Sequence, residues 1–211
     1  MRAVLFDFDG TITDSEAVML EVMNELADEF GFKKLVPEEL GALRKLSLRE
    51  FVRTRLEIPL WQLMKLRRLE RRSKRLFEEK SGELHVFEGM PEVIKRLREQ
   101  GYFTGVVSSS PAPVVARVLA GAGIAMDVVS AGTRSSGKAR AIQRALRDNR
   151  LDPGSTVYVG DELRDVEAAE RAGIRMIGVS WGLNDAASLR EGCVAVASTP
   201  EELLRTIEEY V

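Results

Sequence analysis

The sequence is poor in cysteine and histidine, which limits the chemistry it can use. It has a single cysteine, Cys193, among 211 residues, so an intramolecular disulfide is excluded. Cys193 begins the apolar stretch 193–197, which predicts a buried strand residue rather than a reactive thiol. The single histidine, His85, has no cysteine or histidine near it in the chain, which favours a structural or incidental role.

Long apolar runs and an excess of one charge are also missing. No segment has the roughly 18 apolar residues that a membrane-spanning helix needs. The first apolar run is broken at Asp7, so no signal peptide is expected, and we expect a cytoplasmic protein. The net charge of −2 gives no overall bias toward nucleic acid. We expect a monomer or a homodimer without a membrane or nucleic-acid partner.

Short apolar segments do recur along the chain, and helical patterns separate most of them. This alternation predicts βα units, hence an α/β fold with a Rossmann-like core of three layers around a parallel sheet. The predicted strands are 3–6, 103–107, 127–129, 156–159, 174–179 and 194–197. The predicted amphipathic helices are 91–100, 113–122, 138–149, 162–172 and 200–210.

The tract between the first two strands is almost purely helical and is too long for a simple crossover. It predicts a small helical domain, residues 15–83, inserted into a core domain of residues 1–14 and 84–211. Within the insert, residues 65–75 are rich in lysine and arginine. Apolar residues recur on one side of this segment and glutamates intersperse the positive charge, which favours the solvated face of a packed helix over a nucleic-acid or membrane patch.

The segment Asp7-Phe8-Asp9-Gly10-Thr11 follows the first predicted strand directly. Because side chains alternate along a strand, Asp7 and Asp9 are expected on one side and Phe8 on the other. Two carboxylates this close stay ionised only beside a cation, or else one of them takes a proton. Taken alone, Asp-Gly is also an ordinary turn after a strand.

Polar residues follow three more predicted strands. Ser108, Ser109 and Ser110 end the second strand, a glycine-serine loop leads to Lys138 after the third, and Asp161 and Asp165 follow the fourth. Since the carboxyl ends of parallel strands meet in one crevice, these side chains are expected to converge with Asp7 and Asp9.

In this order, the D-x-D-G-T block, the strand ending in serine, the lysine and the G-D-x-x-x-D block resemble the haloacid dehalogenase-like hydrolases. The matches span nearly the whole chain. The helical insert is similar to the cap of the phosphoglycolate phosphatase and β-phosphoglucomutase branch. Family resemblance therefore implies a phosphatase that uses Mg²⁺ and takes a small phosphorylated substrate.

The resemblance also implies a role for each residue. Asp7 would be the nucleophile and form an aspartyl-phosphate. Asp9 would be the general acid and then the general base, while its backbone carbonyl binds the metal. Asp7, Asp161 and Asp165 would complete the metal ligands. Lys138 would neutralise part of the negative charge of the carboxylates and bind phosphoryl oxygens. Ser108 would bind a phosphoryl oxygen as well. Gly10 and Ser109 are expected to contribute to substrate binding.

Several activities are compatible with this pattern. Asp9 favours phosphoryl transfer over dehalogenation, because the dehalogenases of the superfamily lack the second acid. A phosphosugar mutase is less favoured, because residues 14–21 contain no histidine. Inorganic pyrophosphatase and a non-catalytic binding protein on the same fold remain alternatives. Arg44 and Lys45, in the expected cap loop, are candidate contacts to an anionic part of the substrate, with plain surface charge as the alternative.

Overall fold

The computed structural model describes residues 1–36, 39, 63–133 and 137–211. These residues form two compact units, the first made of residues 1–14 and 85–211 and the second of residues 15–84. No helix within the described ranges is both long and apolar enough to cross a membrane.

The first unit is built on a parallel sheet. In the described part of the chain its strands are β1 (Ala3–Phe6), β4 (Phe103–Val107), β5 (Val128–Ser130), β6 (Thr156–Gly160), β7 (Arg175–Val179) and β8 (Ala195–Ala197). They lie in the order β5-β4-β1-β6-β7-β8, so β1 is central between β4 and β6. A short antiparallel pair, β2 (Thr13–Asp14) and β3 (His85–Val86), accompanies the sheet. The predicted α/β fold is confirmed.

Helices cover the sheet. Those of the first unit are α3 (Met90–Glu99), α4 (Ala112–Gly121), α5 (Lys138–Asp148), α6 (Leu163–Ala172), α7 (Ala186–Leu189) and α8 (Pro200–Tyr210). Short 3₁₀ turns lie at Ser81–Glu83 and Pro153–Ser155. Ala3 and Leu5 of β1 pack in a buried cluster with α5 and α6. Val4 and Phe6, which alternate with them, are equally inaccessible. β1 is therefore buried on both faces, as expected of a parallel strand between layers of helices.

The second unit contains α1 (Glu16–Phe30) and α2 (Leu63–Lys80), which pack against each other. Leu76 and Phe77 of α2 are buried. On the exposed side of α2, Arg72 donates to Glu29 at 2.8 Å. This is the solvated face of a packed helix that the charge pattern favours. Whether the unit acts as a cap stays a prediction.

The predicted strand ends are wrong at several places, and two of these errors have a clear physical cause. Cys193 is half-buried and lies before β8 rather than in it, where its N–H donates to the Leu189 carbonyl as the chain leaves α7. Asp127 precedes β5, because its carboxylate accepts from the Thr104 N–H at 2.8 Å and pairs with Arg98 at 2.9 Å. In both cases a local polar contact holds a residue outside an otherwise apolar strand.

Candidate active site

Asp7 and Asp9 lie where β1 ends, and a tight turn follows them. The Asp7 N–H donates to the Val159 carbonyl at 2.8 Å and continues the pairing of β1 with β6. Gly10 adopts a φ of 72°, in the left-handed region that glycine enters without strain. Its N–H donates to the Thr13 carbonyl at 2.8 Å, which closes the turn. Phe8, between the two aspartates, is fully buried in the core.

Lys138, the first residue of α5, is the buried cation of the site. Its Nζ lies 2.8 Å from Asp7 Oδ2 and 2.5 Å from Asp165 Oδ1, and 2% of its side chain is exposed. Burial alone lowers the pKa of Lys138, but Asp165 and Asp7 raise it above its ordinary value. Lys138 therefore stays protonated between two carboxylates.

Burial is also the largest influence on the pKa values of the two aspartates at the end of β1. It raises the pKa of Asp7 to about 7, against the opposing attraction of Lys138. It raises the pKa of Asp9 as well, although the Ser110 hydroxyl lowers it. In the metal-free protein both carboxyl groups therefore take up protons more readily than in water. A carboxyl group with a raised pKa can donate a proton at a higher pH than an ordinary carboxyl group can.

Asp161 follows β6 and is held through both carboxylate oxygens. Oδ1 accepts from the Thr11 hydroxyl at 2.9 Å, and Oδ2 accepts from the Leu183 N–H at 2.7 Å. Burial, with the nearby charge of Glu162 and Asp165, raises the pKa of Asp161 well above its ordinary value. Asp165, in the first turn of α6, accepts from the Glu162 N–H at 3.1 Å in addition to Lys138.

The three serines after β4 differ in their contacts. Ser110 donates its hydroxyl to Asp9 Oδ2 in a short hydrogen bond, and its N–H donates to Ser108 Oγ at 2.9 Å. Ser108 is fully buried, whereas Ser109 is partly exposed. Sequence reasoning singled out Ser108 and Ser109 but missed Ser110 as the partner of Asp9. The three residues differ only in position, so the sequence carries no signal that separates them.

Arg164 is a second site residue that sequence reasoning missed. It pairs with Glu162, and its positive charge lowers the pKa of both Asp7 and Asp9. Its Nε is buried and has no hydrogen-bond partner among the described residues. An arginine inside the G-D-x-x-x-D block was the available signal. Arg44 and Lys45, the other predicted cations, lie outside the described residues.

The aspartates fit a small divalent cation. Asp7, Asp161 and Asp165 each offer a carboxylate oxygen, and these atoms lie within 4.8 Å of one another. An all-oxygen set with several negative charges is what Mg²⁺ prefers. The carboxylate of Asp9 lies outside this group, and its Oδ1 is buried without a hydrogen-bond partner in the described ranges. The predicted use of the Asp9 backbone carbonyl stays a prediction.

Comparison with known proteins places the chain in a family. Residues 4–179 match the model of the haloacid dehalogenase-like hydrolases. A phosphoglycolate phosphatase of Synechococcus elongatus is 33% identical over 100% of this chain and 99% of its own length. An N-acetylmuramic acid 6-phosphate phosphatase of Pseudomonas putida is 26% identical over 86% of this chain and 84% of its own.

A solved structure agrees on the fold. A predicted phosphatase from Clostridium acetobutylicum superposes with a TM-score of 0.84 at 21% identity, over 99% of this chain and 98% of that one. The family match at residues 4–179 includes Asp7, Asp9, Asp161 and Asp165. The chain belongs to the haloacid dehalogenase-like hydrolases.

Proposed function

We propose that this protein is a Mg²⁺-dependent phosphatase that hydrolyses a small phosphorylated metabolite through an aspartyl-phosphate on Asp7. The observation that carries the proposal is the Asp7–Lys138–Asp165 arrangement, with Asp9 held by Ser110 beside it. It combines a nucleophile, a fixed cation and a separate acid at one sheet edge.

The first half of the reaction uses Asp7 and Asp9. A carboxylate oxygen of Asp7 attacks phosphorus in line, and the bond from phosphorus to the leaving oxygen breaks as Asp9 gives that oxygen its proton. Lys138 holds Asp7 in place through Oδ2 and offsets the negative charge that gathers there. The product alcohol leaves while the phosphoryl group stays on Asp7.

In the second half, Asp9 takes a proton from a water molecule, which attacks phosphorus and restores the Asp7 carboxylate with release of phosphate. Ser110 keeps Asp9 oriented for both proton transfers. Mg²⁺, held by Asp7 and Asp161 with Asp165 beside them, would neutralise phosphoryl oxygens and favour the ionised form of Asp7. Asp165 is the weakest candidate for direct ligation, because Lys138 and the Glu162 N–H occupy one oxygen each.

The relatives support a small phosphate monoester as substrate. Two that match most of this chain are named for phosphoglycolate and for a phosphorylated amino sugar. Full coverage and 33% identity favour a phosphoglycolate-like substrate over the sugar phosphate. We further propose that Arg44 or Lys45 contacts an anionic part of that substrate.

Phosphate release from a panel of phosphorylated metabolites tests the proposal. The panel contains phosphoglycolate, sugar phosphates, nucleotides and pyrophosphate, each assayed with Mg²⁺ and with a chelator. One Mg²⁺-dependent preferred ester, lost in Asp7→Asn, is the expected result. Preference for pyrophosphate would replace the monoesterase proposal with a pyrophosphatase, and absence of turnover on every compound would favour a binding protein.

The cap-loop proposal has its own test. The double variant Arg44→Ala/Lys45→Ala should raise KM for the preferred substrate and leave p-nitrophenyl phosphate almost unaffected, because that ester lacks the second anionic group. Equal losses on both substrates would contradict a role in recognition.

A further inference from the structure

The loop after β7, residues 181–184, lies directly against the site. Gly182 lies directly against Asp161 and the Gly10 backbone. A Cβ at position 182 would stand 2.3 Å from Asp161 Oδ2 and 2.3 Å from the Gly10 carbonyl oxygen. Both distances are far below a normal contact, so the loop adopts this path only because residue 182 has no side chain.

Two backbone N–H groups of the same loop bind Asp161. Leu183 donates to Asp161 Oδ2 at 2.7 Å, and Asn184 donates to the Asp161 carbonyl at 3.1 Å. Asp161 is therefore fixed at its side chain and its main chain by one loop. The Thr11 hydroxyl donates to the other oxygen, Oδ1. Because both oxygens are held, the lone pairs that remain free on the carboxylate point in a defined direction.

The side chain of Asn184 extends this hold to α6. The residue is 2% exposed, and its Oδ1 accepts from the Leu163 N–H at 3.0 Å. Leu163 is the first residue of α6, the helix that carries Asp165. Asn184 therefore connects the loop to the segment between Asp161 and Asp165, and it satisfies an N–H that the helix itself leaves unpaired.

Trp181 contacts Thr11, the residue that binds the other oxygen of the Asp161 carboxylate. Its Nε1 donates to the Thr11 carbonyl at 3.2 Å, and its ring meets Phe87 edge-on with the ring centres 6.2 Å apart. Because Thr11 donates to Asp161 Oδ1, Trp181 supports that hydrogen bond indirectly. The loop thus influences both oxygens of Asp161.

We propose that loop 181–184 is a positioning element for Asp161, with Asn184 and Trp181 as its principal side chains, and that it sets the affinity of the site for Mg²⁺. The inference rests on the proposed function only in requiring that the site bind Mg²⁺. Groups that orient a metal ligand commonly change metal affinity by about 10- to 100-fold when they are removed.

The test is Mg²⁺ binding without substrate, measured as the rise in melting temperature across a Mg²⁺ titration. Asn184→Ala should raise the apparent Kd for Mg²⁺ about tenfold, and Trp181→Phe, which keeps the ring but loses Nε1, should raise it about threefold. Kinetic assays should show a matching rise in the Mg²⁺ concentration for half-maximal activity. KM for the substrate at saturating Mg²⁺ should change less than about twofold.

Asn24→Ala is the matched control. Asn24 also ties backbone together, since its amide both donates to and accepts from Leu35, but it belongs to the second compact unit. It should lower the melting temperature without changing the Kd for Mg²⁺. Should Asn184→Ala fail to fold, Trp181→Phe decides the question alone.

The outcomes separate the two proposals. An unchanged Kd for Mg²⁺ in the folded loop variants would overturn the positioning role and leave the phosphatase proposal intact. If Mg²⁺ does not change the melting temperature of the wild-type protein, both the positioning role and the Mg²⁺-dependent phosphatase proposal are overturned.

Discussion

At the scale of single residues, Lys138 compensates the negative charges of the buried carboxylates of Asp7 and Asp165. It contacts Asp7 and Asp165 at once and is almost completely buried. Removing one partner from a buried ion pair leaves an uncompensated charge, which commonly costs about 3–5 kcal/mol. Lys138 therefore serves stability as well as the proposed chemistry.

Lys138→Met, which keeps much of the side-chain volume, should lower the free energy of unfolding at pH 8 by about 3–5 kcal/mol. The loss should be smaller at pH 5, where protonation of Asp7, with its pKa of about 7, relieves the repulsion. Urea denaturation at both pH values measures this. Adding Asp165→Asn should restore part of the stability, whereas equal losses at both pH values would contradict the charge argument.

Removing the Ser110 hydroxyl should change the pH dependence of catalysis. This hydroxyl lowers the pKa of Asp9, so Ser110→Ala should raise that pKa further. If Asp9 donates a proton in the first half of the reaction, the alkaline limb of the profile of kcat/KM against pH should move up by about half a unit or more. Ser155→Ala, which removes a hydroxyl bound to Asp152 on a surface turn, is the control. If the alkaline limb of Ser110→Ala lies at the same pH as that of the wild type, Asp9 is not the group whose titration produces it.

The sequence predicts the identities of the residues at the site better than their contacts. Asp7, Asp161, Asp165 and Lys138 were predicted to converge because parallel strands end at one edge, and the structure brings them together. The Ser110–Asp9 contact was not predictable, because it depends on the path of the backbone after β4. The same is true of Gly182, whose neighbour Asp161 is distant in the chain.

At the scale of elements, the central strands leave little room between them. Gly105 of β4 pairs with Leu5 of β1 and with Val128 of β5. A Cβ at position 105 would lie 2.5 Å from Val128 Cγ1 and 2.9 Å from Leu5 Cδ2. The close packing of β4 between its neighbours therefore depends on a glycine.

Gly105→Ala should destabilise the fold by about 1–3 kcal/mol, since overpacking a tight core forces its neighbours to move. The measurement is the urea midpoint, with an unchanged dependence of the unfolding free energy on urea concentration. Gly121→Ala is a matched control, because Gly121 ends α4 and a Cβ there meets nothing within 4 Å. Equal effects of the two substitutions would contradict the packing explanation.

Element boundaries were harder to predict than element types. The alternation of apolar and amphipathic segments predicts β1 and α8 with the bounds observed. It fails at Asp127 and Cys193, where hydrogen bonds to neighbouring backbone decide where a strand begins. Apolar periodicity carries no information about such polar contacts, and the predicted bounds of α3, α4, α5 and α6 also differ from the observed ones by one residue.

At the scale of the whole molecule, we expect the site to make the stability of the first compact unit depend on pH and on Mg²⁺. Burial raises the pKa of Asp7 from an ordinary 3.8 to about 7, and it raises the pKa of Asp9 and Asp161 as well. At these three groups the folded protein is therefore expected to bind more protons between pH 4 and 7 than the unfolded chain does. Its stability without metal should fall as pH rises through this window.

In a chelator, the melting temperature should therefore fall steadily from pH 5 to pH 8. Mg²⁺ should raise it, and by more at pH 8, because the cation binds the ionised carboxylates and favours the folded state that presents them. Asp7→Asn removes one of the titrating groups, so its melting temperature in chelator should depend less on pH. A wild-type melting temperature that rises between pH 5 and pH 8 without metal would show that the buried carboxylates are not the groups that govern stability.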